Sequence, residues 1–214
     1  MQRLRVKFTR QEEIRFISHL DIMRLWERAL ARAGVQVARS EGFSPHPRLS
    51  LAAPLAVGVT SEAELLDVFL SARVSPHWFT DTVTGQLPPG VRIRAVQQVG
   101  EMLPSLQSQL RMAEYLVGMN PGDAPGDVAA SIDRLLSLES LPWHHQRDTG
   151  RRDYDLRALI DDISPVAPES EFCTLFMRLR CDSKGSGRPE QVASALGFTG
   201  YPQFIHRIRL VLGG

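Results

Sequence analysis

The sequence predicts an α+β fold made of two tandem halves, each with the order strand, helix, two strands, helix, strand. Three observations carry this. Short apolar/polar alternations recur at both ends of each half, and period two marks strands with one buried face. Between them lie capped runs of three- and four-residue apolar spacing, the mark of amphipathic helices. Clusters of Pro and Gly punctuate the runs where turns belong.

In the first half, Leu4, Val6 and Phe8 alternate with Arg5 and Lys7, which predicts a strand. Ser18 is placed as an N-cap, with Asp21 at the capping-box position. Met23, Trp26, Leu30 and Ala33 follow at helical spacing, Arg24, Arg28 and Arg32 fall on the other side, and Gly34 ends the helix. Residues 35–39 read as a strand, followed by the loop Gly42-Phe43-Ser44-Pro45-His46-Pro47-Arg48. Extended structure resumes at Leu49-Ser50-Leu51, and residues 64–70 form a further strand. Ser75 caps a second helix with Pro76 in its first turn, running to about Gln86. Pro88-Pro89-Gly90 breaks it, and Val91, Ile93 and Ala95 alternate with Arg92 and Arg94 in a last strand.

The second half repeats the pattern without repeating the residues. Strands are expected at 113–119, 172–180 and 205–212, and helices at 128–138 and 189–196, the last ended by Gly197. The middle holds two short extended pieces around 143–146 and 154–156, and residues 157–163 read as an added helical turn. This strand and helix order is the split βαβ pattern of ferredoxin-like domains. The expected division is residues 1–100 and 108–214, with a linker near 100–110.

Composition is that of an ordinary globular protein, 43% hydrophobic and 23% charged. Residues 1–100 carry a formal charge of +4 and the remainder −3, which gives the +1 of the whole chain. Positive charge is almost all Arg, since Lys7 and Lys184 are the two lysines. Arg suits bidentate phosphate contacts and stacking on bases. The two cysteines, Cys173 and Cys181, fit neither a disulfide framework nor a metal site. His144 and His145 lack a ligand-spaced partner, so no metal and no cofactor are expected. The first residues lack the apolar stretch of a signal peptide, and no window reaches the length of a membrane span. The expected location is cytoplasmic, without membrane contact.

In the usual strand order of this fold, apolar residues face the helices and period two sends Arg5, Lys7, Arg92 and Arg94 to the other face. In the second half, Cys173, Leu175, Met177 and Leu179 would face the helices, with Thr174, Phe176, Arg178 and Arg180 opposite. On the last strand Ile208 and Leu210 would point in, and Arg207 and Arg209 out. A helix-free sheet face bearing Arg and aromatics is a surface on which several small domains hold single-stranded RNA. The candidate RNA-binding residues are therefore Arg5, Lys7, Arg39, His46, Arg48, Arg92, Arg94, Arg178, Arg207 and Arg209. Pro45 and Pro47 stiffen the loop that carries His46 and Arg48. Candidate phosphate-binding residues are Arg152, Arg157, Lys184 and Arg188; the Lys184-Gly185-Ser186-Gly187-Arg188 loop precedes a helix N-terminus, where anions bind. His19, in the first turn of a helix, is a candidate general acid/base.

Three blocks carry a family resemblance: Phe16-Ile17-Ser18-His19-Leu20-Asp21; Arg39 and then Gly42-Phe43-Ser44-Pro45-His46-Pro47-Arg48-Leu49-Ser50; and Pro54-Leu55-Ala56-Val57-Gly58-Val59 with Ser61-Glu62. Together they resemble the signature of the radical-SAM-linked family, a domain of unknown function found beside or fused to radical SAM proteins. A weaker match continues through Arg152-Asp153-Tyr154-Asp155-Leu156-Arg157 and Arg188-Pro189. The resemblance implies a radical SAM protein as partner. The chain has no Cys-x3-Cys-x2-Cys run, so the radical chemistry would be the partner's. The layout of two halves is also similar to that of CRISPR repeat-processing endoribonucleases, with His19 near the first helix and Gly197-Phe198-Thr199-Gly200 as a thin glycine-rich loop. The expected function is a non-catalytic RNA-binding companion of a radical SAM enzyme in tRNA or rRNA modification. A metal-independent endoribonuclease using His19 and a protein-interaction module without RNA contact are the two alternatives.

Overall fold

The structure, a computed structural model, describes residues 1–147, 150–166 and 171–213, and leaves the side chains of 145–147, 151 and 152 outside that description. It divides into two compact units, Met1–Leu110 with the chain end from Leu212, and Arg111–Val211.

In the first unit, β1 (Gln2–Arg10) leads through α1 (His19–Arg32) to β2 (Leu49–Leu51) and β3 (Thr60–Leu70). Then follow α2 (Pro76–Thr84), β4 (Ile93–Val99) and the short α3 (Leu106–Gln109). The strands lie in the order β2-β3-β1-β4, each antiparallel to its neighbour. Helix α1 begins where its sequence signals. The Ser18 hydroxyl oxygen accepts from the Asp21 N–H at 3.2 Å and donates to Asp21 Oδ2 at 2.7 Å. It ends at Gly34, whose φ of 68° suits a residue without Cβ. Leu4, Val6 and Phe8 point to the helices and join Ile22, Trp26, Leu30, Phe79 and Val83 in one buried cluster. Phe8 meets Trp26 edge-on, ring centroids 5.0 Å apart. Burial on this scale makes Trp26→Ala worth about 3–5 kcal/mol.

Three local expectations give way. Residues 35–39 are not a strand: Val37 bridges Leu70 and Arg39 bridges Pro47, and no ladder extends further. Pro45 and Pro47 lack the N–H groups that a longer pairing would need. The last strand starts at Ile93 rather than Val91, because Gly90, at φ 88°, is still turning the chain. Residues 100–110 are not a free linker. Leu106 is fully buried, and Gln107 Nε2 donates to Ser50 Oγ at 2.9 Å and to the Leu51 carbonyl.

The second unit contains β5 (Leu110–Met119), α4 (Val128–Ser137), the hairpin β6 (Pro142–Arg147) and β7 (Gly150–Asp155), and β8 (Ile160–Pro165). Then come β9 (Cys173–Asp182), β10 (Gly185–Ser186), α5 (Pro189–Leu196) and β11 (Phe204–Leu212). Strands run β10-β9-β5-β11, β8 also pairs β9, and β6-β7 form a separate two-stranded sheet. Leu175, Met177 and Leu179 are fully buried, as their alternation requires. The expected helical turn at 157–163 is a 3-10 turn, Arg157–Leu159, followed by strand. A bulge between Ile160 and Asp162 buries Ile160 and Ile163 three residues apart, a spacing that imitates a helix. Asp155 sits at the end of β7, where it accepts from the N–H groups of Leu141 and Arg157. These bonds hold its carboxyl below the usual range, the Leu141 bond most of all. No helix of the described residues is long and apolar enough to cross a membrane.

Candidate nucleic-acid interface

The face of the first sheet that points away from α1 and α2 is organised by one acid. Asp67 stands on β3 opposite Arg5 of β1 and is fully buried. Arg3 donates to its Oδ2 through Nε at 2.8 Å and Nη2 at 2.5 Å. Arg5 donates to Oδ1 at 2.9 Å and Oδ2 at 3.1 Å. Two guanidiniums on one carboxylate leave a positive charge in excess. The carbonyls of Leu103 and Pro104 offset it by accepting from Arg3 at 2.6 and 2.9 Å. Arg5 is therefore not on an open face: it is 7% exposed and committed to Asp67. Neither Asp67 nor its role is among the residues the sequence singles out. The available signal is a lone Asp inside the apolar run Leu65-Leu66-Asp67-Val68-Phe69-Leu70, beside a strand with Arg at alternate positions.

Farther along the same face, Phe69 of β3 carries two cations. The Arg3 Cζ lies 5.2 Å from its ring centroid and the Arg48 Cζ 4.4 Å. Arg48 thus leaves the stiffened loop and rests on an aromatic ring. With Arg39, Ser40, Glu41, Ala38 and Ser71 it borders a groove of about 680 Å³. The loop closes on itself at the groove's rim. The Ser40 N–H donates to the His46 carbonyl at 2.8 Å, the His46 N–H to Ser40 Oγ at 3.0 Å, and Arg39 Nη1 to the Pro45 carbonyl at 3.2 Å. The turn throws Phe43 fully into solvent, and His46 and Arg39 are exposed as well. Arg39 and Arg48 therefore border one groove, the His46 backbone closes the loop between them, and Phe69, which sequence reasoning did not assign to the site, lies under Arg48.

Lys7, Arg92 and Arg94 gather at the other edge of the sheet. A register shift after Lys7 sets Ile93 opposite Phe8 and leaves Arg94 as the extra residue of a bulge. Arg92 is fixed by backbone exchange with Thr9, its N–H donating to Thr9 Oγ1 at 3.0 Å and its carbonyl accepting at 2.9 Å. All three side chains are exposed.

The second unit places its cations differently. Glu114, 6% exposed, accepts from Arg178 Nε at 3.1 Å and lies 3.8 Å from Arg209 Nε. Arg178 also donates to Asp161 at 3.2 Å, and Asp161 and Glu114 hold its guanidinium protonated still more firmly than usual. Arg207, expected to point outward, is 1% exposed. The candidate phosphate-binding residues make the following contacts within the chain. The N–H groups of Lys184 and Gly185 already donate to Asp182 Oδ1, at 2.8 and 3.1 Å. Arg188 lies 3.8 Å from Glu190. Arg157 holds the Leu136 and Ile160 carbonyls. The Arg152 side chain lies outside the described residues. Gly197, at φ 99°, is the C-cap of α5 and donates to Ala193 and Ser194. His19 is half-buried at the first position of α1.

The family model described as "Uncharacterized protein conserved in bacteria (DUF2344)" matches residues 3–189. No curated protein matches the chain. Among solved structures, a chain of a Cbf5-Nop10-Gar1 complex is similar in fold, with a TM-score of 0.55 at 8% identity, covering 97% of this chain and 48% of that one. A chain of the archaeal box H/ACA sRNP Nop10-Cbf5 complex gives a TM-score of 0.49 at 10% identity, with the same coverage. The chain spans about half the length of these solved chains. At such identity the likeness is one of mixed α and β architecture.

Proposed function

The chain belongs to the DUF2344 family of bacterial proteins, and from that premise we propose that its first unit binds single-stranded RNA through the groove between Arg39 and Arg48. One observation carries the reading: two guanidiniums border a groove of about 680 Å³, the Phe69 ring lies beneath Arg48, and the loop that joins Arg39 to Arg48 exposes Phe43. Arg forks take phosphate oxygens bidentately, and aromatic rings take unstacked bases. Lys7, Arg92 and Arg94 supply a second set of backbone contacts. The strand orders β2-β3-β1-β4 and, in the second unit, β8-β9-β5-β11 support reading each unit as ferredoxin-like. The role is that of a companion to a radical SAM enzyme acting on tRNA or rRNA. Support for it comes from the three sequence blocks that resemble the radical-SAM-linked family, the second of which builds the groove.

The test uses the full chain and a fluorescein-labelled single-stranded RNA of about 15 nucleotides, titrated across a salt series. Arg39→Ala and Arg48→Ala should each weaken binding, and each should lower the slope of log K against log salt by about 0.7, the share of one phosphate. Absence of binding at low salt, or slopes that neither substitution moves, overturns the reading in favour of a protein-interaction module.

A further inference from the structure

Arg48 differs from an ordinary surface arginine in what lies beneath it. Its guanidinium carbon is 4.4 Å from the centroid of Phe69, and the same ring receives Arg3 at 5.2 Å. Arg3 is itself immobilised by Asp67 and two backbone carbonyls. The Phe69 backbone is held from two directions. Its N–H donates to the Arg48 carbonyl at 3.1 Å, and its carbonyl accepts from Ala38 at 2.8 Å. The Phe69 backbone is therefore pinned, and its ring meets one buried cation and one half-buried one.

We infer that Phe69 is a positioning residue that pre-sets the Arg48 fork for an RNA phosphate, with Arg3 and Asp67 as its fixed backing. This rests on the RNA reading of the groove. A free arginine loses much rotamer freedom when it grips a phosphate, and a fork already stacked on a ring loses less. The backing gives the buried Asp67 and its two Arg partners a role: they anchor the ring rather than the ligand.

Phe69→Leu keeps apolar bulk and removes the ring, and Phe69→Tyr keeps the ring. Two measurements separate the inference from the reading it rests on. In RNA-free protein, the Arg48 Nε–Hε resonance should carry a ring-current displacement that Phe69→Leu abolishes and Phe69→Tyr retains. With the labelled RNA, Phe69→Leu should weaken binding by about two- to fivefold, the size of an accessible cation–π contact, and lower the salt slope as Arg48→Ala does. On an Arg48→Ala background it should add nothing, and Phe69→Tyr should restore wild-type affinity. An Arg48 resonance indifferent to Phe69→Leu, or an equal loss on both backgrounds, overturns the positioning role. A wild-type chain that binds no RNA refutes the RNA reading, and the resonance alone then decides whether Phe69 sets Arg48.

Discussion

Replacing Asp67 by Ala should be among the most damaging single changes in the first unit. The carboxylate is fully buried, and its partners Arg3 and Arg5 are 2% and 7% exposed. After the change Arg3 keeps two carbonyl acceptors, those of Leu103 and Pro104. Arg5 keeps none among the described residues, since both of its bonds run to Asp67. Removing one member of a buried ion cluster strands its partners, at a cost of about 3–5 kcal/mol. Domains of this size are stable by roughly 5–15 kcal/mol, so about a fifth or more of the total would go. In urea, with a denaturant slope of about 2 kcal/mol/M, the midpoint of the transition reported by Trp26 fluorescence should fall by about 1.5–2.5 M. A triple replacement, Arg3→Met with Arg5→Met and Asp67→Leu, removes the charges together with their desolvation cost and should return to within about 1–2 kcal/mol of wild type. A loss below about 1 kcal/mol for Asp67→Ala would refute the idea that this acid organises the sheet face.

Two further outcomes test other parts of the molecule. A Cβ at Gly118 would lie 2.1 Å from the nearest ring carbon of Phe204, which packs edge-on against Phe172 at 5.9 Å, so Gly118→Ala should destabilise the second unit by about 1–3 kcal/mol through overpacking, read as a lowered thermal midpoint and relieved in part by Phe204→Leu. The Ser18 hydroxyl holds the Asp21 carboxyl below its ordinary range; that stabilisation is whole above about pH 4, the unfolded value, and disappears as pH falls through the lower folded value, so Asp21→Asn should lower stability near neutrality, leave it little changed in acid, and so flatten the acid limb of the stability profile.

Much of the fold was legible because its signals are local. Ser18 and Ser75 cap the helices that their positions predict, Gly197 closes α5, and the alternation through β9 buries Leu175, Met177 and Leu179. What was not legible depends on partners distant in sequence. Period two correctly turns Arg5 away from the helices, yet it says nothing of Asp67, 62 residues on, which makes that position buried. The bulge at Ile160 gave helical spacing to a strand. The Pro-His-Pro loop announced Arg39, His46 and Arg48 as neighbours, while the ring that Arg48 rests on belongs to the adjoining strand β3, distant in sequence.

The same distinction decides what charge means in this chain. A +4 half beside a −3 half suggests where an anionic partner belongs, but a count of cations does not tell which are available. In the second unit Glu114, Asp161 and Asp182 lie beside Arg178, Arg209 and Arg180. Those ion pairs join acids and arginines on the same or adjoining strands, so the sheet's positive face is neutralised as it forms. In the first unit the acid is spent below the surface, on Arg3 and Arg5, where it stiffens the platform under Arg48. Among the described residues its exposed cations Lys7, Arg92, Arg94 and Arg39, and the half-buried Arg48, are then left to solvent or to a backbone carbonyl, an aromatic ring and a thioether. None of these contacts is a carboxylate, so each retains its charge for an incoming phosphate. Sequence asymmetry thus becomes an asymmetry of available charge through the placement of four acids, which is why the proposed RNA contacts all fall in the first unit.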